Sequence, residues 1–240
     1  MSHTKPLTVG GIGATPSLDD VVSVARGHLI ALDSAGSERI KKESPAPKSF
    51  QPEPASEQPP ATATDSSSQD LFPACLTHKQ ARAVLITRLL TLMNGKSCVR
   101  LQLADFLKEL LNQDLVPTLP ATDDQSVLTA VANACKGEGS TSAASNGAAS
   151  AASGQAFAAA VEAAGVSPPG LSTTERAALT SGASAAAGVG SLMIVAGRQL
   201  LSAVTAISAL SCEAAGAQVR AQHHAADIAA VGYTQSGHTL

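Results

Sequence analysis

Aromatic side chains are scarce in this chain of 240 residues, which has four Phe, one Tyr and no Trp. Base stacking needs aromatic platforms, so the composition argues against a surface for single-stranded nucleic acid. It also argues against a β-sandwich built on bulky rings. Charge of one sign is lacking too. A formal net charge of −3 gives no basic field to gather phosphates, and no nucleic-acid partner is expected. Cysteine is sparse: Cys75, Cys98, Cys135 and Cys212 are far apart, with no Cys-x-x-Cys pair. This pattern reads as free thiols in a reducing compartment rather than a disulfide framework. The first residues lack the apolar run of a secretory leader. The expected location is intracellular and cytoplasmic, with a mitochondrial one left open.

Ala, Leu and Val carry the apolar content, which favours helices. Residues 1–43 read as a small N-terminal helical unit. Ser17 caps a helix that opens with Asp19 and Asp20, presents Leu18, Val21, Val22 and Ala25 on one face, and stops at Gly27. A second short helix covers Asp33 to Lys42. Residues 44–70 are rich in Pro, Ser, Thr and acidic side chains. They cannot bury enough surface to offset ordering entropy and read as a linker.

Helical patterning returns over residues 71–139. Thr77 caps a helix in which Ala81, Val84, Leu85, Arg88, Leu89 and Leu92 recur at three- and four-residue steps, with Asn94-Gly95 as its stop. Leu101 to Asn112 is amphipathic, with Leu103, Phe106, Leu107, Leu110 and Leu111 inward. Pro117 and Pro120 bracket an extended piece, and a third helix runs from Ser126 to Cys135. Residues 140–155 are an Ala/Ser tract and read as a loop. Residues 156–240 form the last segment. It begins with a short helix to Ala164. Thr173 or Thr174 then caps a long run from Glu175, with a break expected near Gly188–Gly190. Leu200, Leu201, Val204, Ile207 and Leu210 form its apolar stripe, with Ala203, Ala206 and Ala209 opposite, so it reads as a buried bundle helix. Ser191 to Cys212 has the length of a bilayer span, but Arg198 near its middle argues against one, and no membrane contact is expected.

Several blocks in order resemble the histidine and phenylalanine ammonia-lyases. They are Leu18-Asp19-Asp20-Val21-Val22 with Arg26-Gly27, then Ala81-Arg82 with Arg88, then Gly95-Lys96-Ser97-Cys98-Val99-Arg100. Leu110-Leu111-Asn112 with Val116-Pro117 follows, then Gly137-Glu138-Gly139, and finally Phe157 through Ala164-Gly165 with Leu171 and Glu175. The resemblance covers about two thirds of the chain and implies an all-α antiparallel helix bundle like the N-terminal half of a lyase protomer. In that family an Ala-Ser-Gly cyclises to an electrophilic methylidene-imidazolone. It precedes the Gly-Glu-Gly block. Here the interval from Pro117 to Ser126 contains Asp123-Asp124-Gln125 and no Ala-Ser-Gly. Ala152-Ser153-Gly154 spells the tripeptide but lies after Gly139, inside the Ala/Ser tract. The family's tyrosine-bearing loop falls where the linker stands, and Tyr233 is the only tyrosine. The counterpart of its Asn-Gly-Thr segment is expected within Ala187-Gly188-Val189-Gly190.

Other candidate chemistry is weak. Gly95-Lys96-Ser97 ends like a P-loop, but Leu90 stands where a first Gly is needed, and the preceding residues read as helix rather than strand. Cys212, His223, His224 and Asp227 suggest a metal set, and His223 and Asp227 have helical ligand spacing, yet Cys212 is too distant to join them, and solvated side chains are the simpler reading. Asp123-Asp124 as an acid/base pair lacks a partner. The sequence thus predicts no catalytic residue, no cofactor and no metal. Its leading expectation is an inactive ammonia-lyase-like protein serving as a structural subunit. Such a protein would self-associate or bind protein partners through Leu200, Leu201, Val204, Ile207 and Leu210. The alternatives are an ammonia-lyase for histidine or another aromatic amino acid, completed by a second chain, and a membrane-associated helical protein.

Overall fold

A computed structural model of the chain describes residues 6–11, 16–43, 75–94, 99–136 and 157–216. Helices dominate them, as the all-α reading requires. The expected linker, the Ala/Ser tract and the C-terminal residues 217–240 lie outside the described residues.

The N-terminal unit adds two short strands that the sequence reading missed. β1 (Leu7–Val9) and β2 (Ile30–Leu32) pair in parallel, with Leu7 opposite Ile30 and Val9 opposite Leu32. Three residues are too few to show period-two alternation. Between them runs α1 (Leu18–Ala25). Ser17 caps it: its hydroxyl accepts from the Asp20 amide at 3.2 Å, and the Asp20 carboxylate accepts from the Ser17 amide at 2.8 Å. Gly27, at φ 103°, takes the left-handed turn that follows. Asp33 accepts from the amides of Ala35 and Gly36 and so caps α2 (Ser34–Glu43).

α3 (His78–Asn94) is the central helix. Thr77 and Gln80 form its capping box, the Thr77 amide donating to Gln80 Oε1 at 2.9 Å and the Gln80 amide to Thr77 Oγ1 at 3.4 Å. Its buried residues lie all around the circumference, from Ala81 and Val84 to Ile86, Leu89 and Met93. It packs against α1 and against α4 (Leu101–Asn112), whose Leu103, Phe106, Leu107, Leu110 and Leu111 are all buried. Asn112 closes α4 onto β2: its Nδ2 donates to the Ile30 carbonyl at 3.0 Å and its Oδ1 accepts from the Ile30 amide at 2.9 Å. The side-chain amide thus does for the strand edge what a third strand would do.

The chain then runs extended, with Pro120 bridged to Cys75 and the Leu76 amide donating to the Leu119 carbonyl at 2.9 Å. α5 (Asp124–Lys136) starts two residues before the expected Ser126, because Asp123 is its cap. Residues 157–163 (α6) are helical, and α5 packs against α7 (Thr173–Thr180).

Three expectations about the last segment are corrected. The cap of α7 is Ser172, not Thr173 or Thr174: its hydroxyl accepts from the Glu175 amide, and Glu175 returns to the Ser172 amide. The break in the long run falls at Ser181–Ala183, where Gly182 has φ 90°, and not at Gly188–Gly190. α8 (Ser184–Ala214) passes unbroken through both of those glycines. Finally, the buried residues of α8 are Ser184, Ala185, Gly188, Ser191 and Val195, not the leucine stripe. Ser184, Gly188, Ser191 and Val195 recur at four, three and four residues, one face of a helix. Gly188, which has no side chain, lets α8 approach the backbone of α3 at Ala83 and Val84.

By contacts the chain divides into two compact units, Met1–Val195 and Ala196–Leu240. The first holds the core just described. In the second, residues 196–214 are helical and their apolar side chains are exposed: Leu200 66%, Leu201 67%, Val204 49%, Ile207 63% and Leu210 65%. Among the described residues the stretch Thr173–Ala214 is long and apolar enough to cross a membrane, by length and composition alone.

Candidate functional site

The interval from Pro117 to Ser126 is the place the resemblance marks for the electrophile. It is occupied by the extended piece and by a helix cap. The Asp123 carboxylate accepts from the Ser126 hydroxyl at 2.7 Å and from the Ser126 amide at 3.0 Å. These bonds, the hydroxyl's first, hold the carboxyl below its ordinary value. Asp124 Oδ1 accepts from the Ala186 amide at 2.7 Å, so it satisfies an orphan donor in the first turn of α8. Each acid of the candidate acid/base pair therefore has a structural partner. The two carboxylates serve different helices.

The polar centre that the structure assembles lies between residues far apart in sequence. Glu175, at the start of α7, is 0% exposed. Arg100, at the start of α4, clamps it with both faces of a fork: Nε donates to Oε1 at 2.8 Å and Nη2 to Oε2 at 2.9 Å. The Arg100 amide adds a bond to Oε1 at 3.0 Å and the Ser172 amide one to Oε2 at 3.0 Å. Arg100 Nη2 also reaches the Gly170 carbonyl at 2.7 Å. Burial by itself pushes the Glu175 carboxyl up, but the bonds from Arg100 and Ser172 outweigh it, and the net shift is downward. The charged carboxylate in turn acts on Cys135. That thiol is pushed up to about 12, by burial first and by the Glu175 charge second. A thiol so placed is protonated and inert near neutral pH.

Arg82 joins three further elements from inside α3. Its Nε donates to the Val24 carbonyl at 3.0 Å, its Nη1 to the Leu111 carbonyl at 2.9 Å, and it pairs with Asp114. Arg88, two turns on, donates from Nη1 to the Ser181 carbonyl at 2.6 Å and to Ser184 Oγ at 2.9 Å. It links α3 to the turn between α7 and α8.

Of the motif residues singled out from sequence, the structure thus brings Arg100 to Glu175 and Arg88 to Ser181 and Ser184. The pairing of Arg100 with Glu175 was invisible beforehand, since 75 residues separate them. The capping signal, an acidic residue three positions after a Ser, is present in the sequence at Ser172 and Glu175, one or two residues before the expected Thr173 or Thr174. Ala187–Gly190, where an Asn-Gly-Thr counterpart was expected, is helix interior. Ala152-Ser153-Gly154, Gly137-Glu138-Gly139, Gly95-Lys96-Ser97, His223, His224, Asp227 and Tyr233 lie outside the described residues. α3 is helical up to Asn94, so no strand leads into Gly95 as a P-loop needs.

Comparison with known proteins agrees with this architecture. The family model for aromatic amino acid lyase matches residues 57–231. A probable histidine ammonia-lyase of Thermoplasma acidophilum is 29% identical over 152 residues, which are 61% of this chain and 29% of that protein. Among solved structures, Pantoea agglomerans phenylalanine aminomutase superposes with a TM-score of 0.65 at 21% identity, over 88% of this chain and 44% of its own. Histidine ammonia-lyase from Trypanosoma cruzi gives 0.64 at 18% identity, over 89% of this chain and 44% of its own. These superpositions show a shared fold. The chain spans less than half the length of each of these relatives. On the strength of a family match that covers well over half of its residues, the chain belongs to the aromatic amino acid lyases.

Proposed function

We propose that this chain is a non-catalytic member of its family that works as a structural or interaction subunit, associating with itself or with a protein partner through α8. The observation that carries the reading is the apolar face of that helix. Leu200, Leu201, Ile207 and Leu210 are each more than 60% exposed, an arrangement that a soluble protein covers with another surface. Val204 belongs to the same face. The non-catalytic half of the reading is supported by the interval from Pro117 to Ser126, which lacks an Ala-Ser-Gly and whose two carboxylates cap helices.

Native mass tests the association directly. The wild-type chain should run as an oligomer or with a co-purifying protein, and Ile207→Asp should dissociate it, because a carboxylate in a desolvated apolar interface costs several kcal/mol. A clean wild-type monomer without partners would sink the association.

Chemistry is tested separately. The purified chain should release no ammonia from histidine or phenylalanine and show no methylidene-imidazolone absorbance band. Turnover that vanishes in Ser153→Ala would restore the enzyme reading through Ala152-Ser153-Gly154. Turnover that appears only when a second lyase-like chain is added would favour a two-chain ammonia-lyase.

A further inference from the structure

Between α3, the end of α7 and the start of α8 lies an open cleft of about 690 Å³. Thr87, Arg88, Thr91, Ser181, Gly182 and Ser184 are among its walls. Arg88 is 4% exposed. Its Nη1 is satisfied by the Ser181 carbonyl and the Ser184 hydroxyl, but its Nε is shut off from solvent and has no hydrogen-bond partner. The contrast with its neighbours is informative. Arg82 is matched by Asp114 and Arg100 by Glu175. No carboxylate among the described residues forms an ion pair with Arg88. Asp124, the acid that reaches the start of α8, accepts from the Ala186 amide instead.

An arginine keeps its proton in a protein, so this side chain is a buried cation without a counter-charge. Ser184 sharpens the case. Its oxygen accepts from Arg88, which leaves its own hydrogen to donate. The threonine hydroxyls are committed elsewhere: Thr87 donates to the Ala83 carbonyl at 2.7 Å and Thr91 to the Arg88 carbonyl at 2.7 Å. The walls of the cleft thus offer a cation and a free hydroxyl proton, and no opposing acid.

We propose that this cleft binds a compact oxyanion, a carboxylate or a phosphate group, with the Arg88 guanidinium as the charge that holds it and the Ser184 hydroxyl as a second donor. With Nη1 engaged and Nε closed off, Nη2 is the part of the guanidinium left to donate to the anion, and a charged donor accepts either chemistry. The small walls, Gly182 among them, leave room for the anion beside the arginine.

The test titrates inorganic phosphate, and in a separate arm acetate, into the full chain at constant ionic strength balanced with chloride. A ligand of the folded state raises the thermal midpoint saturably. Saturable binding is expected in at least one arm, and the stronger arm identifies the source of the oxyanion. Arg88→Gln should weaken that binding about tenfold or more, the scale of one charged hydrogen bond. A second variant keeps the arginine: Ala177→Leu adds bulk at an exposed wall of the same cleft and should weaken binding without changing the helical spectrum. Should Arg88→Gln fail to fold, Ala177→Leu decides. The proposal is overturned if neither anion binds saturably at millimolar concentration, or if binding is the same in wild type and Ala177→Leu.

Discussion

Glu175→Ala is expected to remove about 3–5 kcal/mol of folding stability, read as the shift of a urea unfolding midpoint at constant slope. The carboxylate is fully buried and accepts from the Arg100 side chain, from the Arg100 amide and from Ser172. Truncation leaves a guanidinium that is only 20% exposed without its acid. It also removes the carboxylate half of the α7 capping box, leaving the Ser172 amide without its acceptor. Glu175→Gln keeps the shape and some of the bonds, so its cost should be smaller, in the range of charged against neutral hydrogen bonds. The sign of the pH dependence follows from the downward shift. A carboxyl whose folded value lies below its unfolded one adds stability that is complete above about 4.3, the ordinary value for Glu, and is lost as pH falls through the folded value. Wild type should therefore weaken in acid from that point down, and Glu175→Gln should lack that part of the slope. A loss under about 1 kcal/mol in Glu175→Ala would mean the pair is no better than a surface ion pair.

The contrast between what was readable in the sequence and what was not follows the range of the interaction. The helix from Leu101 to Asn112 was legible to the residue, because five large apolar side chains recur at helical spacing and the next turn cannot extend the face. The caps at Ser17 and Thr77 were legible for the same reason: donor and acceptor are three residues apart. Both strands were not, since each is three residues long and its pairing spans the whole of α1. The long run is legible as helix with a break, but the position of the break is not, because Gly182 turns the chain while Gly188 and Gly190 do not, and one letter stands for both uses. The leucine stripe of α8 was correctly seen as one face. Its exposure is not legible, because periodicity marks a face and does not say what covers it. As to the site, the family was legible from blocks of neighbouring residues. The ion pair of Arg100 with Glu175 and the unmatched charge of Arg88 required coordinates.

Gly188 gives the sharpest test of that packing, because helix propensity and packing predict opposite signs. Gly188 and Gly190 both lie inside α8, where Gly→Ala should stabilise an open position by about 0.5–1 kcal/mol. A Cβ at Gly190 meets nothing within 4 Å, so Gly190→Ala should show that gain. A Cβ at Gly188 would stand 2.7 Å from the Ala83 carbonyl oxygen, 2.8 Å from its carbon and 2.9 Å from the Val84 nitrogen. All three are backbone atoms of α3, and no rotamer can move them. The helices must separate, which pulls Ser184 away from Arg88 of α3. Such overpacking costs about 1–3 kcal/mol, enough to exceed the propensity gain. Thermal unfolding of the two variants beside wild type should therefore move in opposite directions, Gly190→Ala upward and Gly188→Ala downward. Equal stabilisation by both would mean that α8 does not seat on Ala83 and Val84, and the wall of the Arg88 cleft that α8 supplies would have to be redrawn with it.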